Sequence, residues 1–192
     1  MAHPSPPGLL VLHAVRLKGF AGTAAVGDRF GLDAGQTREH LLDAQAYGRV
    51  SRSSFADLTG WSLTQIGYRY NEAQLRDELD RTGAGETVTA VHERFLPHNA
   101  RASRIFTAWQ LDPGNAAGTF HDLAGLANEL RDLERPLAGL LSRFAGYHDR
   151  FTAALARAVH DPAWITGIEV DSCHKVWFEL HEDLIATLGI TR

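Results

Sequence analysis

The chain contains 192 residues, 44% of them hydrophobic, and carries a formal net charge of −4 at pH 7. The apolar fraction is enough for a packed core, and the length suits one domain or two small ones. The slight negative charge excludes a protein that coats nucleic acid, and the single cysteine, Cys173, excludes an internal disulfide framework.

Residues 1–7 are rich in proline and predict a disordered lead. They lack the basic and apolar regions of a signal peptide, and no apolar run approaches the ~18 residues that span a bilayer. Together with the lone cysteine, which suits a reducing compartment, this predicts a soluble, cytoplasmic protein. Residues 8–18 predict the first helix. The expected buried side of this helix consists of Leu9, Leu12, Val15 and Leu17.

Residues 23–30 predict a short helix that is broken at Gly31. Asp33 stands at a natural N-cap, where its carboxylate can accept the free amides of a second helix that runs to Tyr47. Gly48 ends this helix, because glycine readily adopts the left-handed conformation that helix ends often need. Apolar or small residues recur every three to five positions, which predicts one buried face and one outward face. The residues of the expected buried face are Leu32, Thr37, Leu41 and Ala44.

Two short β-type runs follow, over 49–52 and 60–63, around a polar tip at 53–59. Thr64 then predicts the cap of an exit helix over 65–82. The order of helix, turn, helix, hairpin and helix is that of a winged helix-turn-helix. The expected apolar positions of the exit helix are Ile66, Tyr70, Leu75 and Leu79.

The residues of this stretch also resemble a known family. The pattern GL-x4-T-x3-L-x5-YGRV, followed by GWSLT-x2-G, is similar to the recognition helix, wing and exit helix of MarR-type transcriptional regulators. The resemblance covers about residues 8–70, roughly a third of the chain. It implies a DNA-binding winged domain, which we expect to span residues 8–82.

Contacts to DNA are expected from the start of the second helix of this motif and from the wing. Arg38 can bond guanine through its guanidinium group, and Gln36 can pair with adenine. Glu39 and Asp43 share the outward face, and over residues 1–65 six basic side chains meet five acidic ones. This small surplus predicts modest affinity and binding as a dimer; a winged helix kept as a scaffold is the alternative. The predicted DNA-binding residues are Gln36, Thr37, Arg38, His40, Arg49, Arg52 and Ser53.

Residues 83–192 are helical in pattern and predict a bundle for dimerisation and ligand binding. Pro97 predicts a kink within the first of these helices. The whole chain is therefore expected to be mainly α: an N-terminal winged helix-turn-helix with three helices and a β-hairpin wing, then a C-terminal helical bundle. The helices predicted in the bundle cover 86–111, 119–135, 136–145, 149–160 and 170–189.

The last of these helices contains the highest concentration of candidate functional side chains. It has one apolar stripe and a second face that includes two histidines. Asp171 and Ser172 are expected to cap it. His174 and His181 are seven residues apart, roughly 10 Å by helix rise, which is too far for one metal ion, so no metal and no cofactor is expected. Polar residues beside Pro97 predict the border of a cavity. The predicted ligand-binding residues are His98, Asn99, Arg101, Trp109, His174, Trp177, Phe178 and His181.

Three hypotheses about function follow. The leading one is a homodimeric regulator that binds a double-stranded operator and encloses a small-molecule effector in its helical half. The alternative is a winged-helix-derived enzyme or ligand-binding protein, with His174, His181 or His98 as general acid or base on an aromatic or polyketide-like molecule. The third is a protein-interaction module, which would expose an apolar patch on one helix.

Overall fold

The computed structural model describes residues 2–55, 58–113 and 116–190, and these are mainly helical with one antiparallel β-hairpin. The chain divides into two compact units. The N-terminal unit begins at His3, ends at Gly83 and includes the chain end from Ala186 onwards; the helical unit covers Ala84–Ile185. The last turn of the final helix therefore belongs to the N-terminal unit.

The N-terminal unit opens with three helices: α1 (Pro7–Lys18), α2 (Thr23–Asp28) and α3 (Ala34–Ala46). The predicted disordered lead is wrong for residues 2–7, because Ser5 is buried and Pro7 already starts α1, a position where proline loses no helical hydrogen bond. Met1 lies outside the described residues. The predicted buried side of α1 is confirmed at Leu9, Leu12, Val15 and Leu17.

A hairpin and a long helix complete this unit: β1 (Val50–Phe55), β2 (Leu58–Leu63) and α4 (Gln65–Thr82). Val50 pairs with Leu63 at the base of the hairpin and Ser54 pairs with Thr59 towards its tip. The strands are longer than predicted, and positions 56 and 57 of the predicted tip lie outside the described residues. Trp61 also forms a β-bridge to Ala21, which ties the hairpin to the turn between α1 and α2.

The core of the N-terminal unit lies between the hairpin and the first three helices. Leu41 and Ala44 of α3 meet Val11, Val15 and Val26 in one buried cluster. The indole N–H of Trp61 donates to the Thr23 hydroxyl at 3.0 Å, so the largest residue of this cluster has its polar group satisfied.

The buried stripe of α4 differs from the prediction. Ile66 is 53% exposed and Tyr70 is also exposed, whereas Leu75 is buried as expected. Polar side chains occupy two of the other buried positions, Asn71 and Glu78, and the amide oxygen of Asn71 lies 3.4 Å from His13 Nδ1 in a buried contact. The sequence predicted the wrong face because apolar residues at helical spacing normally mark the core, and here two of them lie on the surface. The buried residues of α4 are Gly67, Asn71, Leu75 and Glu78.

The helical unit contains α5 (Gly85–Leu111), α6 (Ala116–Leu140), α7 (Tyr147–Ala158), the short α8 (Ala163–Thr166) and α9 (Cys173–Leu188). A single 3-10 turn, Ser142–Phe144, joins α6 to α7. Among residues 2–55, 58–113 and 116–190, none of the helices combines the length and apolarity that crossing a bilayer requires.

Two predicted helices of this unit are in fact one. α6 continues through Pro136 to Leu140, so the predicted break between 119–135 and 136–145 is wrong. Leu130, Leu133 and Leu137 are fully buried at continuous helical spacing on both sides of the proline. Their burial stabilises the helix across a position where proline removes one hydrogen bond. α5 likewise runs through Pro97 without ending.

Candidate functional site

The outward face of α3 is the surface that best suits a ligand of the N-terminal unit. The carboxylate of Asp33 accepts the backbone N–H of Gln36 at 2.9 Å, as the capping pattern predicted. This cap fixes the first turn of α3 and orients the side chains on it. Gln36 and Arg38 are exposed there. The same face also exposes Glu39, Leu42 and Asp43, so it carries mixed charge rather than a basic patch.

Two of the residues predicted to touch DNA are turned away from that face. Thr37 is fully buried, and its hydroxyl donates to the Asp33 carbonyl at 2.8 Å. A Cβ at Gly27 would lie only 3.0 Å from the Thr37 hydroxyl, so Thr37 holds α3 tightly against α2. Its predicted DNA contact is therefore wrong. His40 is half-buried beside Gly8 of α1, where its ring is largely shielded.

The hairpin offers a second set of polar groups. Arg52 and Ser53 are exposed on β1, with the Arg52 guanidinium 5.6 Å from the ring centre of Trp61. Near the tip, the hydroxyls of Ser54 and Thr59 share a hydrogen bond of 2.8 Å across the two strands. The described part of the hairpin therefore exposes several polar side chains, together with the apolar Leu58, which is 60% exposed.

Arg49, also predicted to touch DNA, has a different environment. Its guanidinium lies 3.5 Å from the ring centre of Tyr70 and 4.6 Å from that of Tyr47. The residue precedes β1 at the base of the hairpin, at the end away from the tip. Arg49 is thus stacked between the ring of Tyr47, which follows α3, and that of Tyr70 in α4, and its predicted contact with DNA stays a prediction.

In the helical unit, the predicted ligand-binding residues contact one another along two antiparallel helices. Near one end, Phe95 of α5 stacks on Trp177 at 5.2 Å and meets His181 at 5.5 Å. The Trp177 indole N–H donates to the Asn99 side-chain oxygen at 3.0 Å. About two turns along α9, the ring of His174 lies 4.9 Å from Phe106. The Trp177–Asn99 hydrogen bond links the two helices, and Asn99, His174 and His181 are half-buried.

The other members of that predicted set are spread over separate surroundings. His98 lies 3.5 Å from a carboxylate oxygen of Glu129. Arg101 donates to the backbone carbonyl of Asp122 at 3.2 Å, and Trp109 is buried. Phe178 is 46% exposed. The structure therefore brings Asn99, Trp177 and His181 together but does not gather the whole set around one point.

A buried network of charges, which the sequence did not predict, lies between α7 and α9. Arg143 forms an ion pair with Asp183, and both side chains are completely buried. The Tyr147 hydroxyl donates to the second oxygen of Asp183 at 2.8 Å. In the sequence, Tyr147 and Arg150 are one helical turn apart, and so are Glu179 and Asp183. Such spacing is too common to predict a buried network by itself.

Arg150 forms the other half of this network. It bonds both oxygens of Asp171, at 2.7 and 2.8 Å, and reaches Glu179 at 2.7 Å. Burial alone lowers the pKa of the Arg150 guanidinium, but the hydrogen bond to Asp171 and the charges of Glu179 and Asp171 outweigh it and raise that pKa. Asp171 therefore holds Arg150, and the Ser172 hydroxyl accepts the Lys175 N–H at 3.3 Å, as expected of a cap of α9.

Cys173 lies on the buried side of α9 and contributes no reactive group. Its thiol donates weakly to the Phe151 carbonyl at 3.7 Å, and burial raises the pKa of the thiol to about 12. A thiol with this pKa holds almost no thiolate at neutral pH, which is the form that attacks electrophiles and binds metals.

The half-buried imidazole of His174 makes stability depend on pH. Burial lowers its pKa from the ordinary value of 6.5, so between the folded and unfolded pKa values the folded chain binds fewer protons than the unfolded chain. We therefore expect the free energy of unfolding to fall as the pH decreases through and below 6.5. Urea unfolding of the wild type and of His174→Gln from pH 8 to pH 5 measures this, and the variant should lose part of the slope. His160→Gln, at an exposed position, is the matched control and should keep it.

No protein-family model, no curated protein and no solved structure matches this chain. The resemblance of the N-terminal residues to MarR-type regulators therefore stays a prediction that rests on those residues themselves.

Proposed function

We propose that the N-terminal unit is a winged helix-turn-helix that binds double-stranded DNA, and that the protein is a transcriptional regulator. The observation that carries this proposal is the capped α3 with an exposed outer face, held against α2 on its inner face. Asp33 fixes the first turn and Thr37 fixes the inner side, which leaves Gln36 and Arg38 free to meet base edges.

The arrangement of the neighbouring elements supports the same function. α2 and α3 pack closely at Gly27, as the two helices of a helix-turn-helix do. The hairpin follows α3 directly and exposes Arg52 and Ser53, which suit contacts to phosphates. In this proposal α3 is the recognition helix and the hairpin is the wing.

The charge of this surface sets the strength of binding. Arg38 and Arg52 are the exposed basic groups of the predicted set, whereas Glu39 and Asp43 place negative charge beside them on α3. Each neutralised phosphate adds to affinity and to its dependence on salt. We therefore expect modest affinity and a shallow salt dependence for a single subunit, which favours binding as a dimer.

Arg38→Ala should weaken binding by about 10- to 100-fold if Arg38 contacts a base edge. The measurement is fluorescence anisotropy with duplexes from the region upstream of the protein's own coding sequence, at two salt concentrations. Arg52→Ala should weaken binding uniformly across sequences and reduce the salt slope by about 1. Glu39→Gln removes a charge that repels phosphates and should strengthen binding.

The matched control is Arg94→Ala, since Arg94 is an equally exposed arginine on α5 of the helical unit. The Arg94→Ala variant should bind DNA with the same affinity as the wild type. Absence of saturable binding at low salt, or equal effects of Arg38→Ala and Arg94→Ala, would contradict the proposed function.

For the helical unit we propose no catalytic function, because the three histidines considered for it contact three different partners. His98 faces Glu129, His174 faces Phe106, and His181 faces Phe95. A general acid and base pair has to converge on one reacting group. The effector pocket predicted for this unit stays a prediction.

A further inference from the structure

The exposed side of α4 has the composition of a protein interface. Ile66 and Tyr70 are exposed one helical turn apart, and Ala73 continues the same side. Arg69 and Asp77 flank this row and are also exposed. We call these five residues the α4 face.

Tyr47, Arg49 and Tyr70, which we call the aromatic platform, extend the α4 face on one side. Tyr47 is 68% exposed, and the Arg49 guanidinium lies between its ring and that of Tyr70. This stacking holds three long side chains in one geometry, so little conformational entropy remains to be lost on binding. Tyrosine and arginine are also the residues that most often dominate the energy of interfaces.

The charges of the α4 face are complementary to themselves under a two-fold axis. If two copies of α4 cross antiparallel at Ala73, Arg69 of each copy lies opposite Asp77 of the other. The small side chain of Ala73 allows the two helices to approach closely at the crossing point. Isologous interfaces require such self-complementarity.

We propose that a second copy of this chain binds the α4 face, so that the protein forms a two-fold dimer through its N-terminal unit. The aromatic platform forms the apolar part of the interface, and two Arg69–Asp77 pairs fix the antiparallel register. This assigns Arg49 to the interface between subunits. The proposal does not depend on DNA binding, because it concerns the association of the full chain alone.

Charge reversal and exchange test the proposal. Arg69→Asp places two like-charged pairs in each dimer, and Asp77→Arg does the same with the opposite sign, so each variant should raise the dimer Kd by at least ~100-fold. The double variant Arg69→Asp/Asp77→Arg restores opposite charges across the axis and should return the Kd to within a few-fold of the wild type. Sedimentation equilibrium of the full chain measures all four proteins.

The two residues lie eight positions apart on one helix, about 12 Å by helix rise, so the double variant cannot be rescued within one subunit. Arg94→Asp, an equal charge change at an exposed site of α5, is the control and should leave the Kd unchanged. A wild type that stays monomeric at the highest concentration of the sedimentation run overturns the proposal. It is also overturned if the single variants remain dimeric or the double variant stays monomeric.

Discussion

Replacing Asp183 by alanine is expected to lower the free energy of unfolding of the helical unit by about 3–5 kcal/mol. Asp183 is completely buried and pairs with Arg143, which is also completely buried. Removal of the carboxylate leaves the guanidinium charge buried without the counter-charge of Asp183. It also takes away the nearer acceptor of the Tyr147 hydroxyl, at 2.8 Å, and leaves only the Glu179 carbonyl at 3.5 Å. Both consequences oppose folding, and neither can be relieved by water without opening the core.

Two further variants separate charge from packing. Asp183→Asn keeps an oxygen that can accept from Tyr147 but lacks the charge, so its loss of stability should be smaller than that of Asp183→Ala. The double variant Arg143→Met/Asp183→Leu replaces the whole ion pair by apolar groups of similar size, which is often neutral or stabilising. We expect its stability to lie much closer to that of the wild type than to that of Asp183→Ala.

Urea unfolding followed by circular dichroism, with hydrogen exchange of α7 and α9, gives these free energies for the helical unit itself. The control is Asp132→Ala, at an exposed position of α6, for which a change below about 0.5 kcal/mol is expected. If Asp183→Ala were no less stable than Asp132→Ala, the buried network would be irrelevant to the fold.

The features of the fold that the sequence predicted correctly are those decided by a few neighbouring residues. The caps at Asp33 and Thr64 are observed as hydrogen bonds to Gln36 and Gly67. Gly48 ends α3 with a positive φ of 66°, a conformation that glycine adopts without strain. Such signals need no knowledge of the tertiary structure, which is why the order of elements in the N-terminal unit could be derived.

The features that could not be predicted depend on residues far apart in the chain. Glu179 and Asp183 look like the polar side of α9, and their burial becomes intelligible only once Arg143 and Arg150 face them. Conversely, Ile66 and Tyr70 of α4 look like core residues in the sequence, but no distant part of the described chain buries them and they are exposed. Periodicity identifies a face of a helix, but the partner decides whether that face is buried.

In the candidate site, too, the features set by neighbouring residues were predictable and those set by distant residues were not. Gln36 and Arg38 were correctly expected on the outward face of α3, because the Asp33 cap fixes where the helix starts and Leu41 marks its buried side. Thr37 was expected both on the buried face and among the DNA contacts, and the structure shows it buried. The stacking of Arg49 on Tyr70 joins residues 21 positions apart, which no local pattern encodes.

Gly67→Ala is expected to destabilise the N-terminal unit by about 3 kcal/mol. A Cβ at this position would stand 1.9 Å from the carbonyl oxygen of Arg49 and 3.1 Å from the side chain of Leu63. The first contact is with backbone, so the start of α4 or the base of the hairpin must move. That movement also strains the cap of α4, since the same carbonyl accepts the Thr64 N–H at 3.0 Å.

The control for this variant is Gly139→Ala within α6, where an added Cβ meets no atom within 4 Å and φ is not positive. Alanine at such a helical site should stabilise the helical unit by about 0.5–1 kcal/mol. Unfolding followed by the fluorescence of Trp61, with the other three tryptophans replaced by phenylalanine, reports on the N-terminal unit.

Because α4 and the hairpin base also present Arg49, Tyr70 and Ile66, Gly67→Ala should weaken self-association even under conditions where the unit remains folded. If self-association is unchanged while stability falls, the packing at Gly67 supports the fold alone and the α4 face tolerates the shift.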